Sequence, residues 1–216
     1  VEGLARDRGL AHAVVFTGRN EQLINKVAQD TGAHGLRADV SAAADNAKTI
    51  ALCAERMGGI DVLVNNAAYG YLAEIGELDV EAMRTLFATN VFGTFQACQE
   101  AARLMIETGR RGRIVNFATI ATPLRLEGEA VYAASKAAIE NLTRVMAREL
   151  AEFHITVNAV GPTPVATDLI RAVPKAKIDA LLARQAIPRL GEMRDISNVI
   201  DFFLHEESDF VTGQVV

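Results

Sequence analysis

Short apolar runs alternate with longer segments of helical period along the whole chain. This alternation is typical of a parallel β-sheet covered by helices. The sequence predicts strands at His12–Thr17, Gly35–Ala38, Val62–Asn65, Gly112–Phe117, Thr156–Val160 and Gly213–Val216. It predicts helices at Asn20–Thr31, Ala42–Met57, Val80–Glu107, Ala130–Glu152, Lys175–Arg184 and Met193–His205. Because no linker or repeat interrupts the pattern, we predict a single α/β domain over residues 1–216.

Charge and composition exclude several classes of function. The net charge of −5 argues against a nucleic-acid-binding protein, which normally carries a basic face. No apolar run reaches the roughly 18 residues of a membrane span, and the charged start Val1–Arg8 is unlike a signal peptide. Cys53 and Cys98 form no C-x-x-C motif, and the four histidines are scattered. We therefore expect a cytoplasmic protein with reduced core thiols and no metal site.

Tyr132 and Lys136 are four residues apart in a predicted helix, so their side chains lie on one face. A free phenol titrates near pH ~10, which is too high for proton transfer at neutral pH. A neighbouring ammonium favours the phenolate and should lower the pKa of the tyrosine. The pair could therefore exchange a proton with a substrate oxygen. The spacing alone also occurs on many solvated helix faces.

Further polar or small residues follow the predicted strands, where open α/β sheets bind ligands. Asn65-Asn-Ala-Ala68 suits a sharp backbone turn that lets a flat ligand approach, although an ordinary asparagine-rich turn would look the same. The hydroxyl of Thr119 follows the next strand and could hydrogen-bond a substrate oxygen, or simply cap a helix. A loop rich in proline, Gly161–Thr167, follows the fifth strand.

Taken together, these features resemble the short-chain dehydrogenase/reductase family, including its 3-oxoacyl-carrier-protein-reductase-like members, over nearly the whole chain. Five motifs occur in the order of that family: Asn65-Asn-Ala-Ala68, Thr89-Asn-Val-Phe-Gly93, Thr119, the Tyr132/Lys136 pair and Pro162-Thr-Pro-Val-Ala-Thr167. Thr119 stands where the family has its catalytic serine. The resemblance implies a doubly wound parallel sheet (Rossmann-like), a nicotinamide dinucleotide cofactor, and hydride transfer between that cofactor and a small carbonyl or alcohol.

The resemblance also implies roles for individual residues. Tyr132 would be the general acid or base, Lys136 would lower its pKa and bind the nicotinamide ribose, and Thr119 would polarise the substrate oxygen. Asn90 would hold a water that links Lys136 to solvent. Further cofactor contacts are expected from Asn66, Ala67, Pro162, the Val165 backbone and the Thr167 side chain.

Cofactor choice depends on the loop after the first strand. An acidic residue there would bond the ribose 2′-hydroxyl of NAD, whereas an arginine accommodates the 2′-phosphate of NADP. This chain has Arg19 and Asn20 at that point and no acid, which favours NADP(H) and leaves NAD(H) as the alternative. Asp39 and Val40, after the second strand, resemble the adenine-contacting pair of the family.

Three features depart from the family. Thr119 keeps the hydroxyl of serine but adds a methyl group that crowds the substrate. Ala68 and Thr163 replace glycines, which would strain the backbone if φ were positive there. The first strand and its T-G-x-x-x-G-x-G loop have no counterpart. Losing a central strand would orphan buried backbone groups at about 1–3 kcal/mol each. We therefore expect natural residues before Val1 and after Val216, the alternative being a truncation that abolished cofactor binding.

The segment 168–188 is expected to form a substrate lid, since apolar residues alternate there with basic ones. The basic side chains would meet an acidic substrate or simply form a solvated outer face. The two longest helices carry apolar residues on more than one face, which indicates a homodimer or homotetramer. A non-catalytic Rossmann-like scaffold or regulatory protein is the competing interpretation, based on Thr119, Ala68, Thr163 and the missing loop.

Overall fold

The computed structural model describes residues 13–167, Ile170 and residues 173–216. Within these residues lie five strands: β1 (Val15–Gly18), β2 (His34–Arg37), β3 (Val62–Asn65), β4 (Arg113–Phe117) and β5 (Thr156–Val160). The first four helices are α1 (Glu21–Thr31), α2 (Ala43–Met57), α3 (Val80–Phe87) and α4 (Thr94–Glu107). The remaining helices are α5 (Ala121–Leu124), α6 (Ala130–Glu149), α7 (Lys175–Leu182) and α8 (Met193–Leu204). Short 3-10 turns occupy Ile75–Glu77, Ala151–Phe153 and Glu206–Ser208.

All strand pairs are parallel, and the helices cover both faces of the sheet, as predicted. Strands pair in the orders β1-β2 and β3-β4-β5, and β1 and β3 are not hydrogen-bonded to each other. Side chains of β4 alternate between two cores. Ile114 packs with residues of α2, α4 and α6, whereas Val115 packs with Ile200 and Phe203 of α8. This period of two is what a sheet buried on both faces requires.

The strands differ from the prediction in extent and burial. β4 and β5 are buried, but β1 and β2 are largely half-buried or exposed, because each pairs on one edge only among the described residues. The ends of β1 and β2 differ by one or more residues from the predicted bounds. His12, the predicted first residue of the first strand, lies outside the described residues. The predicted terminal strand is reduced to one bridge, between Ala159 and Val215, with hydrogen bonds from Gly161 N to Val216 O and Val216 N to Ala159 O.

The prediction of one continuous helix over residues 80–107 is wrong. A π-helical segment, Ala88–Gly93, separates α3 from α4. In such a segment the hydrogen bonds reach one residue further than in an α-helix, and π-bulges are frequent at functional sites. The segment turns Asn90 into the interior, where it is fully buried. The other helix ends agree with the prediction or differ from it by at most three residues, and α5 was not predicted.

Gly93 allows the π-helical segment to touch the loop after β2. A Cβ at this position would lie 2.5 Å from the carbonyl oxygen of Val40. The amide of Asn46 ties the same parts together, since its Nδ2 donates to Val40 O at 2.8 Å and to Gly93 O at 3.5 Å. The position of Val40, an expected adenine contact, therefore depends on a glycine at residue 93.

Gly93→Ala should lower the free energy of unfolding by about 1–3 kcal/mol, because the added methyl group meets a backbone atom that has little room to move. Chemical denaturation measures the change. Gly76→Ala is the matched control, since no atom lies within 4 Å of a Cβ there and that glycine is exposed. Equal stability of the two variants would contradict this close contact.

Candidate active site

Tyr132 and Lys136 lie one turn apart on α6, as predicted. Lys136 is only 3% exposed. Its Nζ donates to the carbonyl oxygen of Phe117, at the end of β4, over 2.8 Å, and lies 5.9 Å from the centre of the Tyr132 ring. Burial lowers the pKa of Lys136 from 10.5 to about 8. The helix thus brings a buried ammonium and a phenol to the carboxyl end of β4.

The pKa of Tyr132 is raised, contrary to the expectation that Lys136 would lower it. Burial of the phenol is the largest cause, and the carboxylate of Glu129 adds to it. Lys136 is not among the groups that shift this pKa, and its Nζ donates to the Phe117 carbonyl. The phenol of Tyr132 therefore keeps its proton at neutral pH.

Thr119 follows β4 and faces Tyr132. Its hydroxyl lowers the pKa of Tyr132, against the larger effects of burial and of Glu129. Its Oγ1 also accepts from the backbone N–H of Ala121, at the start of α5, at 3.2 Å. The capping interpretation of Thr119 is confirmed, and its hydrogen bond to a substrate oxygen stays a prediction.

Asn90 joins three parts of the site. Its Oδ1 accepts from Tyr69 N at 2.7 Å, and its Nδ2 donates to Tyr69 O at 3.0 Å and to Ser135 Oγ at 3.2 Å. Ser135 in turn donates to the carbonyl of Tyr132 at 2.7 Å. Since Asn90 and Ser135 are fully buried, these bonds fix the loop after β3 against the helix that carries Tyr132.

A second buried polar chain lies beneath the site, and the sequence analysis did not identify it. Asn116, on β4, accepts from Asn65 at 2.9 Å and donates to Thr143, on α6, at 3.0 Å. Cys98 lies 3.2 Å from the Asn65 amide and 3.6 Å from Asn116 Oδ1. The sequence signal that could have revealed this polar chain is the presence of Asn65 and Asn116 in strands that are otherwise rich in valine and isoleucine. The chain holds the ends of β3 and β4 in register behind Asn66 and Phe117.

The expected ribose-binding residues follow β1, and both are exposed. Asn20 caps α1, since its Oδ1 accepts from Leu23 N at 3.1 Å. Arg37, at the end of β2, donates its Nε to the carbonyl of Arg19 at 3.4 Å. Two arginines therefore meet at this edge, and only Arg19 was identified from the sequence. Both side chains are exposed there.

Asp39 caps its own turn. Its Oδ1 accepts from the Ser41 hydroxyl at 2.7 Å and from Ser41 N at 2.9 Å, and these bonds, with a smaller effect of Arg19, lower the pKa of Asp39. Its backbone N–H donates to Asp45 Oδ2 at 2.9 Å. The loop that contains Asp39 and Val40 is thus fixed from both sides.

The loops after β3 and β5 are open to solvent or half-buried. Asn66, Ala67 and Ala68 are exposed, so small side chains leave the end of β3 accessible to a flat ring. Neither Ala68 nor Thr163 has a positive φ, so these departures from glycine introduce no backbone strain. Thr163 instead hydrogen-bonds Gln185, which follows α7.

The loop after β5 is supported from several sides. The carbonyl of Pro162 accepts from Ile120 N at 3.3 Å, and Val165 forms a parallel bridge with Gly191. Within the loop, Thr167 donates its N–H to Val165 O at 2.7 Å. The loop is thus joined at Pro162 to the residue after Thr119, and at Val165 to Gly191.

The predicted lid borders an open cleft next to this loop. Asp168, Leu169, Arg171 and Ala172 lie outside the described residues. The cleft is lined by Ala166, Thr167, Ile170, Val173, Lys175 and Ile178. Apolar residues of the lid segment thus lie directly after the expected carboxamide contacts.

Among the helices that the structure describes, none has the length and apolar character of a membrane span. Within the same residues, histidine, cysteine and acidic side chains form no cluster of three that would suit a metal ion. Both cysteines are free and buried.

Known proteins share this sequence and this fold. The family model described as enoyl-(acyl carrier protein) reductase matches residues 5–216. The chain is 29% identical over 230 residues to the 3-oxoacyl-(acyl-carrier-protein) reductase FabG of Vibrio cholerae, and the match covers 100% of this chain and 93% of that protein.

Solved structures agree. The gluconate 5-dehydrogenase from Burkholderia cenocepacia, in complex with NADP and tartrate, superimposes with a TM-score of 0.89 at 31% identity, covering 100% of this chain and 86% of that one. An NAD+-bound xylitol dehydrogenase gives a TM-score of 0.85 at 25% identity, covering 94% of this chain and 86% of that one. With Tyr132, Lys136, Thr119 and Asn90 gathered at one sheet edge, this chain belongs to the short-chain dehydrogenase/reductase family of oxidoreductases.

Proposed function

We propose that the protein is an NADP(H)-dependent oxidoreductase that interconverts a small or medium carbonyl compound and its alcohol. The observation that carries this proposal is the meeting of Tyr132, Thr119 and Lys136 at the carboxyl end of β4. Thr119 contacts the phenol, and Lys136 is buried one turn beyond it. A buried phenol and ammonium are retained at a desolvation cost that a purely structural helix would avoid.

In this proposal the bound nicotinamide supplies or accepts the hydride. Arg19 and Arg37 would hold the 2′-phosphate of the dinucleotide. Asp39 and Val40 would flank its adenine, and Asn66 and Ala67 would border the ribose. The carboxamide would be held by the Val165 backbone and by Thr167. Pro162 would fix the loop that carries them. Lys136 would bind the nicotinamide ribose.

The protein side of the reaction is proton transfer and orientation. In reduction the phenol of Tyr132 gives its proton to the substrate oxygen, and in oxidation the phenolate takes a proton from the alcohol. Thr119 donates a second hydrogen bond to that oxygen and stabilises the charge that develops there. Asn90, through Ser135, holds the Tyr132 backbone in place, and a water near Asn90 would pass protons between Lys136 and solvent.

Arg19→Asp should weaken NADPH binding about 10- to 100-fold and leave NADH binding equal or tighter. The substitution removes a charge-assisted hydrogen bond to the 2′-phosphate and adds a carboxylate suited to the 2′-hydroxyl. Calorimetric titration of both nucleotides into both proteins measures the change.

Arg56→Asp provides the matched control, since Arg56 is exposed in the last turn of α2, before β3 and hence away from the strand ends that carry the site. It should leave both affinities unchanged. Tighter binding of NADH than of NADPH by the unaltered protein would instead favour an NAD(H)-dependent member of the family, and binding of neither would favour a non-catalytic scaffold.

We propose further that the protein is a cytoplasmic homodimer or homotetramer. Phe92 and Phe95, in and after the π-helical segment, are 59% and 44% exposed, and Val145 of α6 is 43% exposed. Apolar side chains on the two longest helical regions suit a contact with a second copy. Light scattering of the purified protein tests the assembly.

A further inference from the structure

Thr163 lies in the loop after β5, where a glycine was expected, and its side chain has a specific partner. Its hydroxyl donates to Oε1 of Gln185, which lies 22 residues further along the chain, after α7. Both residues are half-buried. Only a minority of the hydrogen bonds in proteins join two side chains, and most of the others include the backbone. The pair therefore makes a specific connection between this loop and the residues that follow α7.

Two prolines flank Thr163 and limit how the loop can be held. Pro162 and Pro164 have no backbone N–H, so neither of them can donate a hydrogen bond. Their carbonyls do accept, from Ile120 N at 3.3 Å and from Gly191 N at 2.9 Å respectively. The hydroxyl of Thr163 is the side-chain donor that adds a further connection between the same two prolines.

Gln185 is itself held in one orientation. Its Nε2 donates to the carbonyl oxygen of Arg189 at 3.2 Å, and since a carbonyl can only accept, Oε1 is left for Thr163. The guanidinium of Arg189 donates to both carboxylate oxygens of Asp195, at 2.7 and 2.9 Å. Asp195 also accepts from Glu192 N at 2.8 Å, in the capping box that begins α8. A continuous series of hydrogen bonds thus runs from the loop to the start of α8.

The other branch of the Thr163 side chain is fixed as well. Gly191 is buried and pairs with Val165 in a parallel bridge. A Cβ on Gly191 would lie 3.2 Å from Cγ2 of Val165 and 3.5 Å from Cγ2 of Thr163. The methyl group of Thr163 therefore faces Gly191 while its hydroxyl faces Gln185. With a neighbour for each group on its Cβ, this β-branched side chain is held in one rotamer.

We propose that Gln185 is a positioning residue for the nicotinamide end of the cofactor. It holds the hydroxyl of Thr163, and through it the backbone of Val165, two residues further on, which would bind the carboxamide. This inference rests on the proposed function, since it requires a nicotinamide dinucleotide in the site. A loop that is fixed before the nucleotide arrives loses less conformational freedom on binding, so the nicotinamide end is bound more tightly.

Two nucleotides that differ at the nicotinamide end test the proposal. NADPH carries the nicotinamide, whereas 2′-phospho-ADP-ribose has the adenine, the 2′-phosphate and the pyrophosphate without it. Gln185→Met and Thr163→Val nearly keep the side-chain volume and remove the hydrogen bond. Each should weaken NADPH binding about 3- to 10-fold, as the loss of one neutral hydrogen bond predicts, and leave the affinity for 2′-phospho-ADP-ribose unchanged. Calorimetric titration measures both affinities.

Two further variants separate this effect from a general loss of stability. Thr163→Ser keeps the hydroxyl and should bind NADPH nearly as tightly as the unaltered protein. Gln29→Met makes the same exchange as Gln185→Met at an exposed position near the end of α1, and it should change neither affinity. Equal weakening of both nucleotides in Gln185→Met, or of neither, would overturn the inference.

Amide hydrogen exchange tests the loop without any nucleotide. The N–H of Thr167, which donates to Val165 O at 2.7 Å, reports whether the loop opens. It should exchange faster in Gln185→Met than in Gln29→Met. Equal exchange rates in these two variants would contradict the positioning role even if NADPH binds.

Failure of both NADPH and NADH to bind the unaltered protein would overturn the proposed function. The exchange measurement would still show whether Gln185 fixes the loop after β5. The two failures are therefore distinguishable.

Discussion

Tyr132→Phe should lower turnover about 10²- to 10⁴-fold while leaving the fold and the affinity for NADPH nearly unchanged. The substitution removes one hydroxyl, which is the proton donor in the proposed reduction, and keeps the ring that fills the half-buried position on α6. Steady-state rates with a carbonyl substrate, together with NADPH titration and circular dichroism, measure the three quantities.

Tyr71→Phe is the control for this loss. The hydroxyl of Tyr71 accepts from Asp79 N at 3.1 Å, at the start of α3, and does not contact Tyr132, Thr119 or Lys136. Its removal should change stability slightly and turnover little. Retention of the full rate in Tyr132→Phe would show that another group transfers the proton.

Lys136→Met should abolish turnover and yet leave the protein as stable as before, or more stable, at pH 7. Burial lowers the pKa of Lys136 from 10.5 to about 8, so the charged form destabilises the fold by on the order of 3 kcal/mol. Lys136→Met removes this destabilisation. It also removes the hydrogen bond to the Phe117 carbonyl, which lowers the free energy of unfolding by about 1–3 kcal/mol and offsets part of the gain in stability. The destabilisation is full below pH about 8 and disappears as the pH rises to 10.5, because the unfolded chain holds the proton longer than the folded one.

The stability advantage of Lys136→Met over the unaltered protein should therefore shrink by up to about 3 kcal/mol between pH 7 and pH 10.5. Urea denaturation at several pH values measures this difference, in which effects of other titrating groups cancel. Lys48→Met, at an exposed position on α2, should show no such trend. A constant difference between the two proteins across this range would mean that Lys136 is solvated.

Regular elements were predictable wherever one physical signal dominated. β4 and β5 are short, mainly apolar and buried, and residues four apart on a helix, such as Tyr132 and Lys136, share one face. The π-helical segment was not predicted, because weak helix formers such as Thr89, Asn90 and Gly93 do not by themselves distinguish a π-helix from an α-helix. Its hydrogen bonds are set by the packing of Asn90 and Gly93 against other parts of the chain.

The candidate site was likewise predictable only in part. The positions of Tyr132, Thr119 and Asn90 follow from motif and strand order, but their electrostatics do not. The pKa of Tyr132 depends on burial and on Glu129, and the direction predicted from Lys136 alone was wrong. Arg37 and Asn116 were missed because each acquires its role from a neighbouring strand, through contacts with Arg19 and Asn65 respectively.

The burial of both cysteines makes this chain suited to site-specific spectroscopic labelling. Cys98 is fully buried, its pKa is raised to about 12, and burial also raises the pKa of Cys53. Because the thiolate is the reactive form, neither should react with a maleimide while the protein is folded. A cysteine introduced on the exposed side of α7 would be the single reactive thiol. A fluorophore or spin label attached there would test whether α7, in the segment predicted to form a lid, moves when nucleotide is added.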